Sequence, residues 1–364
     1  MKVLFLTCHP KSKGGISTWV RSLQSYDKSK GLIDAEYIYP AYSGNAEATV
    51  NRTLFGRVFG GTQLMFRRMC DVQKAVSRNR PDVAHITTSG ELAILRDLLL
   101  IFYFKRSHIP VVYHIRFGRI PQIRAKKALE WRLLLAAMKK ADAIIAIDGN
   151  TFRSLNEEEC LHGKLFQVPN LIDASSLPDT DNVYPEKEII YIGWCIKTKG
   201  IEELLGAWQK LRKEHRGWSL RLVGPYNEQY MDELKARFCM EGIRIDGELP
   251  HRDVMLRLRS ATIFVLPSYT EGFPYSVLEA MALKKPIIAT TVGAIPEMLA
   301  GNCGLLIEPM SEESLKQALC SLISDEQLRE LYGKNAYRKM ISNYQIDVVF
   351  QRYMEIWNSQ RKQQ

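Results

Sequence analysis

Two glutamates, Glu271 and Glu279, stand with seven residues between them in the run Pro267-Ser268-Tyr269-Thr270-Glu271-Gly272-Phe273-Pro274-Tyr275-Ser276-Val277-Leu278-Glu279-Ala280-Met281-Ala282. The run follows an apolar segment, Ile263 to Leu266, of strand length, and Pro274 suits the first turn of a helix. The segment therefore reads as a strand, a glycine-bearing loop and a helix. Amide N–H groups that open a helix have no partner within it, and the helix dipole favours negative charge there. Gly272, Phe273, Pro274, Tyr275, Ser276 and Val277 are the candidate cradle for an anionic diphosphate at the carboxyl edge of a sheet. Glu271 in the loop can face a reacting group, while Glu279, one to two turns into the helix, accepts hydrogen bonds from hydroxyls.

A second group of candidates lies upstream in Tyr191-Ile192-Gly193-Trp194-Cys195-Ile196-Lys197-Thr198-Lys199-Gly200. Alone, Lys199 reads as a solvated surface lysine; with the downstream glutamates, it and Lys197 become candidates for contact with a phosphate. Gly14 and Gly15 follow the first strand and open the first helix, where backbone N–H groups can also meet a phosphate. The full GxGxxG pattern is absent, which disfavours a nicotinamide cofactor. On the strand Val111 to Ile115, His114 and Arg116 are two residues apart and so share one face. His114 reads equally as a catalytic or a packed histidine. His9 and His85 close strands as well, and each reads more readily as coincidence. Asp179-Thr180-Asp181 matches a DxD metal pattern but sits among prolines in a linker, where solvated carboxylates are the ordinary reading.

The paired glutamates in an EGFxxxxLEAMA frame resemble the signature of glycosyltransferase family 4. The resemblance extends through Lys285 to Thr290, Gly293-Ala294-Ile295-Pro296-Glu297 and the turn at Cys303-Gly304-Leu305-Leu306, covering most of residues 185–310. Gly193 and Lys199 match the family's donor-gripping segment, and Trp194 stands where the family carries an arginine. Arg116 stands where many members carry a histidine near the acceptor. Ala141 to Asp148 and Val168-Pro169-Asn170 resemble its fourth-strand region and exit to the linker, with Arg116 and Asp148 on the acceptor side.

The resemblance implies two doubly wound Rossmann-like α/β domains facing across a cleft, the GT-B fold. It implies a retaining enzyme that moves a sugar from a UDP- or GDP-sugar to a glycan or polyprenyl-diphosphate-linked hydroxyl, as in bacterial surface polysaccharide synthesis. It also implies no cofactor and no essential metal, the cationic work falling to Lys199 and helix N–H groups while the leaving phosphate takes the acceptor's proton. Under it Glu271, Lys199 and His114 are the catalytic candidates. The donor site comprises Gly14, Gly15, Gly193, Lys197, Lys199, Gly224 and Gly272 to Val277, with Glu279 on the ribose. A nucleotide-sugar epimerase and a non-catalytic nucleotide-sugar-binding subunit are the alternatives, the latter motivated by Trp194.

The elements that must position these residues alternate in type. Strand-length apolar runs at Val3 to Thr7, Val83 to Ile86, Val111 to Ile115 and Ala143 to Ile147 are separated by helical patterns from Ile16, around Glu91 to Phe104 and around Arg124 to Lys139. The alternation restarts at Ile189 to Ile192 and continues through Ser219 to Val223, Ile243 to Asp246, Ile263 to Leu266 and Pro286 to Thr290. Such alternation predicts parallel sheets covered on both faces. The proline-bearing stretch Leu171 to Lys187 reads as a linker. The expected domains are therefore 1–178, 179–345 and a last helix, 346–364, crossing back to the first.

Charge divides between the halves. Residues 1–175 hold 26 Lys and Arg against 15 Asp and Glu, leaving 24 against 25 in the rest of a chain of net charge +10. The excess concentrates in residues 51–140 and asks for an acidic partner, an anionic membrane surface or a polyprenyl diphosphate. No RRM, KH or zinc-finger pattern accompanies it, which argues against nucleic acid. The longest apolar run, Leu98 to Phe104, is far below the roughly 20 residues of a spanning helix and reads as a buried helix against the sheet. The first ten residues read as a strand rather than a signal peptide. Seven scattered cysteines without a CxxC pair fit a reducing cytoplasm, with attachment limited to the inner membrane's cytoplasmic face.

Overall fold

The computed structural model describes residues 1–12, 14–39, 68–91, 93–179 and 185–362. Arg52, Arg57 and Arg67 of the basic region, and Thr180 and Asp181 of the DxD run, lie outside them. The chain divides into two compact units, Met1–Asn170 with Val349–Gln364, and Leu171–Val348. The division falls before the expected boundary at 178 because residues 172–174 bond to the end of the second unit. Ile172 N–H donates to Tyr344 O, Ile346 N–H to Ile172 O, and Ala174 N–H to the Gln345 side chain.

In the first unit six parallel strands lie in the order β2-β1-β3-β4-β5-β6. They are β1 (Lys2–Leu6), β2 (Asp34–Ile38), β3 (Val83–Thr88), β4 (Val111–Ile115), β5 (Ala143–Ala146) and β6 (Leu165–Gln167). Every residue of β1, β3, β4 and β5 is buried, because helices cover both faces of a parallel sheet. The helical pattern read at Arg124 to Lys139 is two helices, Ile120–Lys126 and Leu129–Lys140. The chain turns between them at Lys127, whose φ of 49° takes it out of the right-handed helix.

The helix Ile346–Arg361 carries the aromatic core of the first unit. Trp19 Nε1 donates to Tyr353 Oη at 3.1 Å, and Tyr353 stacks on Trp357 with ring centroids 5.6 Å apart.

The second unit repeats the plan as β12-β11-β10-β7-β8-β9. Its strands are β7 (Glu186–Ile192), β8 (Ser219–Val223), β9 (Ile243–Gly247), β10 (Ala261–Leu266), β11 (Ile287–Thr290) and β12 (Leu305–Ile307). The turn expected at Cys303 to Leu306 ends at Gly304; Leu305 and Leu306 belong to β12 and, with Ile307, pair with β11. Three strands are laced by a buried charge cluster. Arg221 of β8 donates from Nε to Glu188 of β7 at 2.8 Å and from Nη1 to both oxygens of Asp246 of β9 at 2.9 and 2.8 Å.

Candidate active site

The strand order of the second unit fixes where a site can form. β7 comes first in the chain, the next strands are laid to one side of it, and β10 then begins the other side. Loops leaving the carboxyl ends of β7 and β10 diverge at this reversal, the place where open α/β sheets bind ligands. Those loops are Gly193 to Gly200 and Pro267 to Pro274.

They meet in an ion pair. Lys199 Nζ donates to Glu271 Oε1 at 2.5 Å, with the side chains 24% and 13% exposed, so both groups are shielded yet reachable. Tyr269 N–H donates to Thr198 O at 2.9 Å and ties the loops together. Tyr269 Oη donates to Glu203 at 2.6 Å, fixing the second loop to the helix Ile201–Leu211. Gly200 has φ 72°, and a Cβ there would fall 2.1 Å from Pro267 O. Glu271 is held from the other side by the loop after β11. Ala294 N–H donates to Gly272 O at 2.8 Å, and a Cβ on Gly293 would lie 2.3 Å from Glu271 O.

Pro274, expected in the first turn of the helix, stands just before it. The helix spans Tyr275–Ala282 with Pro274 at its N-cap, and its first backbone bond runs from Leu278 to Pro274. The amides of Ser276 and Val277 precede that bond, whereas Pro274 has no N–H to offer and Phe273 packs edge-on against Tyr344 with centroids 5.6 Å apart. Glu279, with a side chain 10% exposed, accepts from His251 Nε2 at 2.8 Å. His251 opens the helix His251–Ser260. Sequence reading passed it over, since no local motif marks a residue whose partner lies on another helix.

The remaining donor candidates of this unit line the same edge. Gly193 N–H donates to Val223 O, Gly224 N–H donates to Gly247 O, and a Cβ on Gly224 would lie 1.9 Å from Gly193 O. The loops after β7 and β8 are thus in backbone contact, and only glycine fits at their crossing. Trp194 is 52% exposed and Lys197 is exposed, so both side chains of this loop are open to a ligand.

The first unit treats its candidates differently. Gly14 is the N-cap of the helix Gly15–Lys30, with φ 124°, no side-chain cap and no acid in the first turn, so an anion is not displaced there. His114 is fully buried among Trp19, His85 and Tyr353. Trp357 Nε1 donates to His85 Nδ1 at 3.1 Å, which leaves the His85 proton on Nε2, 3.1 Å from His114 Nδ1. Burial pushes His85 down to about 3 and His114 well below the ordinary histidine range, the Arg116 charge acting in the same direction. His114 is thus enclosed by aromatic rings and has no exposed surface.

Arg116 is 8% exposed and its guanidinium lies 4.8 Å from the Trp19 ring centre. Asp148, expected on the acceptor side, is a helix cap. Its two oxygens accept from Thr151 N–H and Oγ1 at 2.8 and 2.7 Å, and it is 1% exposed. His9 Nδ1 accepts from Lys11 N–H at 3.1 Å and its ring meets Tyr39 edge-on, 5.1 Å between centres. Among the described residues no three His, Cys, Asp or Glu side chains converge as a metal site would require.

Two doubly wound parallel sheets in these strand orders are the architecture of GT-B glycosyltransferases. Residues 13–176 match the model of Glycosyltransferase Family 4, and residues 178–339 match that of glycosyl transferases group 1. The two matches together span most of the chain, which is a family 4-like glycosyltransferase. It is 26% identical over 302 residues to the lipopolysaccharide core biosynthesis mannosyltransferase LpcC of Rhizobium leguminosarum bv. viciae, covering 78% of this chain and 80% of that one. Its fold is similar to sucrose-phosphate synthase from Thermosynechococcus elongatus, with TM-score 0.77, 16% identity and 98% of each chain covered. It is also similar to HepE from Anabaena, solved in complex with UDP-glucose, with TM-score 0.72, 18% identity and 99% and 100% coverage.

Proposed function

We infer that this glycosyltransferase retains anomeric configuration and moves a sugar from a UDP- or GDP-sugar to a hydroxyl of a glycan or polyprenyl-diphosphate-linked acceptor, in bacterial surface polysaccharide synthesis. The observation that carries this is the 2.5 Å Lys199–Glu271 pair at the switch point, beside the helix that begins at Tyr275. A partly shielded lysine held by a carboxylate is preorganised to take the charge of a leaving diphosphate, with the amides of Ser276 and Val277 as further donors. Glu271 then faces the donor sugar, Glu279 accepts from the ribose, and the leaving phosphate takes the acceptor's proton. Lys197 supplies the second positive charge in the loop where Trp194 replaces arginine. The cationic work is complete without a metal. The likeness to HepE, whose structure holds UDP-glucose, and to a lipopolysaccharide mannosyltransferase supports donor class and pathway.

The test is a thermal-shift screen of the full chain against UDP, GDP, ADP and their sugar conjugates, in EDTA and then in Mg²⁺, repeated on Glu279→Ala. A ligand at a hundred times its Kd adds about 2.7 kcal/mol. Stabilisation of the wild type in EDTA that Glu279→Ala loses supports the reading, and product NMR then reads the anomeric configuration. Stabilisation only with Mg²⁺, or an inverted product, overturns the corresponding part. Binding without turnover on any acceptor points to a nucleotide-sugar-binding subunit. Interconversion of the donor sugar without acceptor points to an epimerase.

A further inference from the structure

The helix Ala93–Arg106, expected to be buried, is apolar on two faces. Ile94, Asp97, Leu100, Ile101 and Phe104 face the core. Leu95, Leu99 and Phe102, spaced four and three residues apart and hence in one row, are 48%, 45% and 60% exposed. An exposed apolar row has a reason more often than a lone exposed leucine does.

Its surroundings say what covers it. The row ends at Arg106, and beside it packs the helix Leu129–Lys140, which ends at Lys139 and Lys140. Phe102, Lys105, Lys139 and Lys140 line one basin of about 500 Å³. Lys105 pairs with Asp142 at 2.5 Å, but no carboxylate among the described residues pairs with Arg106, Lys139 or Lys140. Lysine is depleted in protein interface cores, whereas apolar side chains rimmed by cations are how a helix lies in the headgroup region of an anionic bilayer. No helix among the described residues is long and apolar enough to cross a membrane, so contact through this face would be peripheral.

We propose that the face formed by Leu95, Leu99, Phe102, Arg106, Lys139 and Lys140 docks the enzyme on an anionic lipid surface, the apolar row entering the headgroup region and the cations resting on phosphates. The proposal does not depend on the donor or the stereochemistry, and vesicle binding is read without turnover.

The experiment floats the full chain with vesicles of phosphatidylglycerol and phosphatidylcholine, and with phosphatidylcholine alone. The wild type should rise with the anionic vesicles only and detach near 1 M salt, where screening shortens to about 3 Å. Lys139→Glu with Lys140→Glu should cut partitioning by roughly tenfold or more, each cation near such a surface being worth about a factor of five. Leu99→Ser with Phe102→Ser should weaken it without lowering Tm. A control, Lys213→Glu with Arg216→Glu in the second unit, changes net charge equally and should bind as wild type. Loss in the control equal to that in Lys139→Glu with Lys140→Glu, binding unmoved by both face variants, or a Tm several degrees lower in Leu99→Ser with Phe102→Ser would each overturn the proposal. The last would mean that protein already covers the row.

Discussion

Lys199 and Glu271 are 72 residues apart in the chain and 2.5 Å apart in the fold. Each lies in a loop, and neither loop has a reason to meet the other until β7 and β10 become neighbours in one sheet. The contact joins the cation that a leaving diphosphate needs to the carboxylate placed to face the sugar.

Removing either partner should therefore affect the chemical step more than binding. Lys199→Ala and Glu271→Gln are each expected to lower kcat by about 10²–10³ with a smaller change in KM. The double variant should lose much less than the product of the two, since both act on one interaction. Steady-state kinetics on the three proteins checks this, and full multiplicativity would refute the shared role.

Glu279 should show the opposite split. It is buried and accepts from His251, so Glu279→Ala should raise donor KM about 10–100-fold with kcat nearly preserved, and His251→Ala should shift KM the same way by less. A fall in kcat alone would transfer Glu279 to the chemical step.

Gly293 tests whether Glu271 is positioned from behind. A methyl group there meets Glu271 O and Gly272 O at 2.3 and 2.5 Å on a backbone with φ 57°. Gly293→Ala should cost about 1–2 kcal/mol of stability and lower kcat while leaving nucleotide binding measurable by thermal shift. Unchanged kcat would mean that the loop relaxes without moving the carboxylate.

The Arg221 cluster should be structural. Glu188 is 1% exposed, and Arg221→Ala would leave it buried with only the exposed Arg244, 3.5 Å away, at a cost of about 3 kcal/mol in urea unfolding. A loss below about 1 kcal/mol would show that water reaches Glu188.

The neutral histidines give a pH signature. Their folded pKa values lie below the unfolded value of about 6.5, His85 near 3, so the unfolded chain binds more protons as pH falls. The stability they contribute is present above pH 6.5 and declines below it, by about 2 kcal/mol at pH 5 for His85 and in the same direction for His114. His85→Gln and His114→Gln should each flatten the stability profile between pH 6.5 and 5, measured by urea unfolding with tryptophan fluorescence. An unchanged slope would mean that neither histidine is neutral in the folded state.

Most of the strands that were legible are central ones, β1, β3 to β5, β7, β8, β10 and β11, which read as short apolar runs. Of the four edge strands only β9 was read, from Ile243 and Ile245. β2 is Asp-Ala-Glu-Tyr-Ile with one half-covered side, β6 has three half-buried residues, and β12 follows a glycine in what reads as a turn. With one neighbour each, they are half-covered or, at three residues, too short to show a period.

By itself the sequence determined two alternating α/β units and the loop–helix that carries Glu271 and Glu279, because burial and helix initiation are written in local residue order. Only the tertiary structure decided that Lys199 meets Glu271, that His251 holds Glu279, that His114 is walled in by aromatic rings and that Asp148 caps a helix. Those outcomes depend on which strands become neighbours and which helix covers which face. Periodicity records that a residue is buried; it does not record against what.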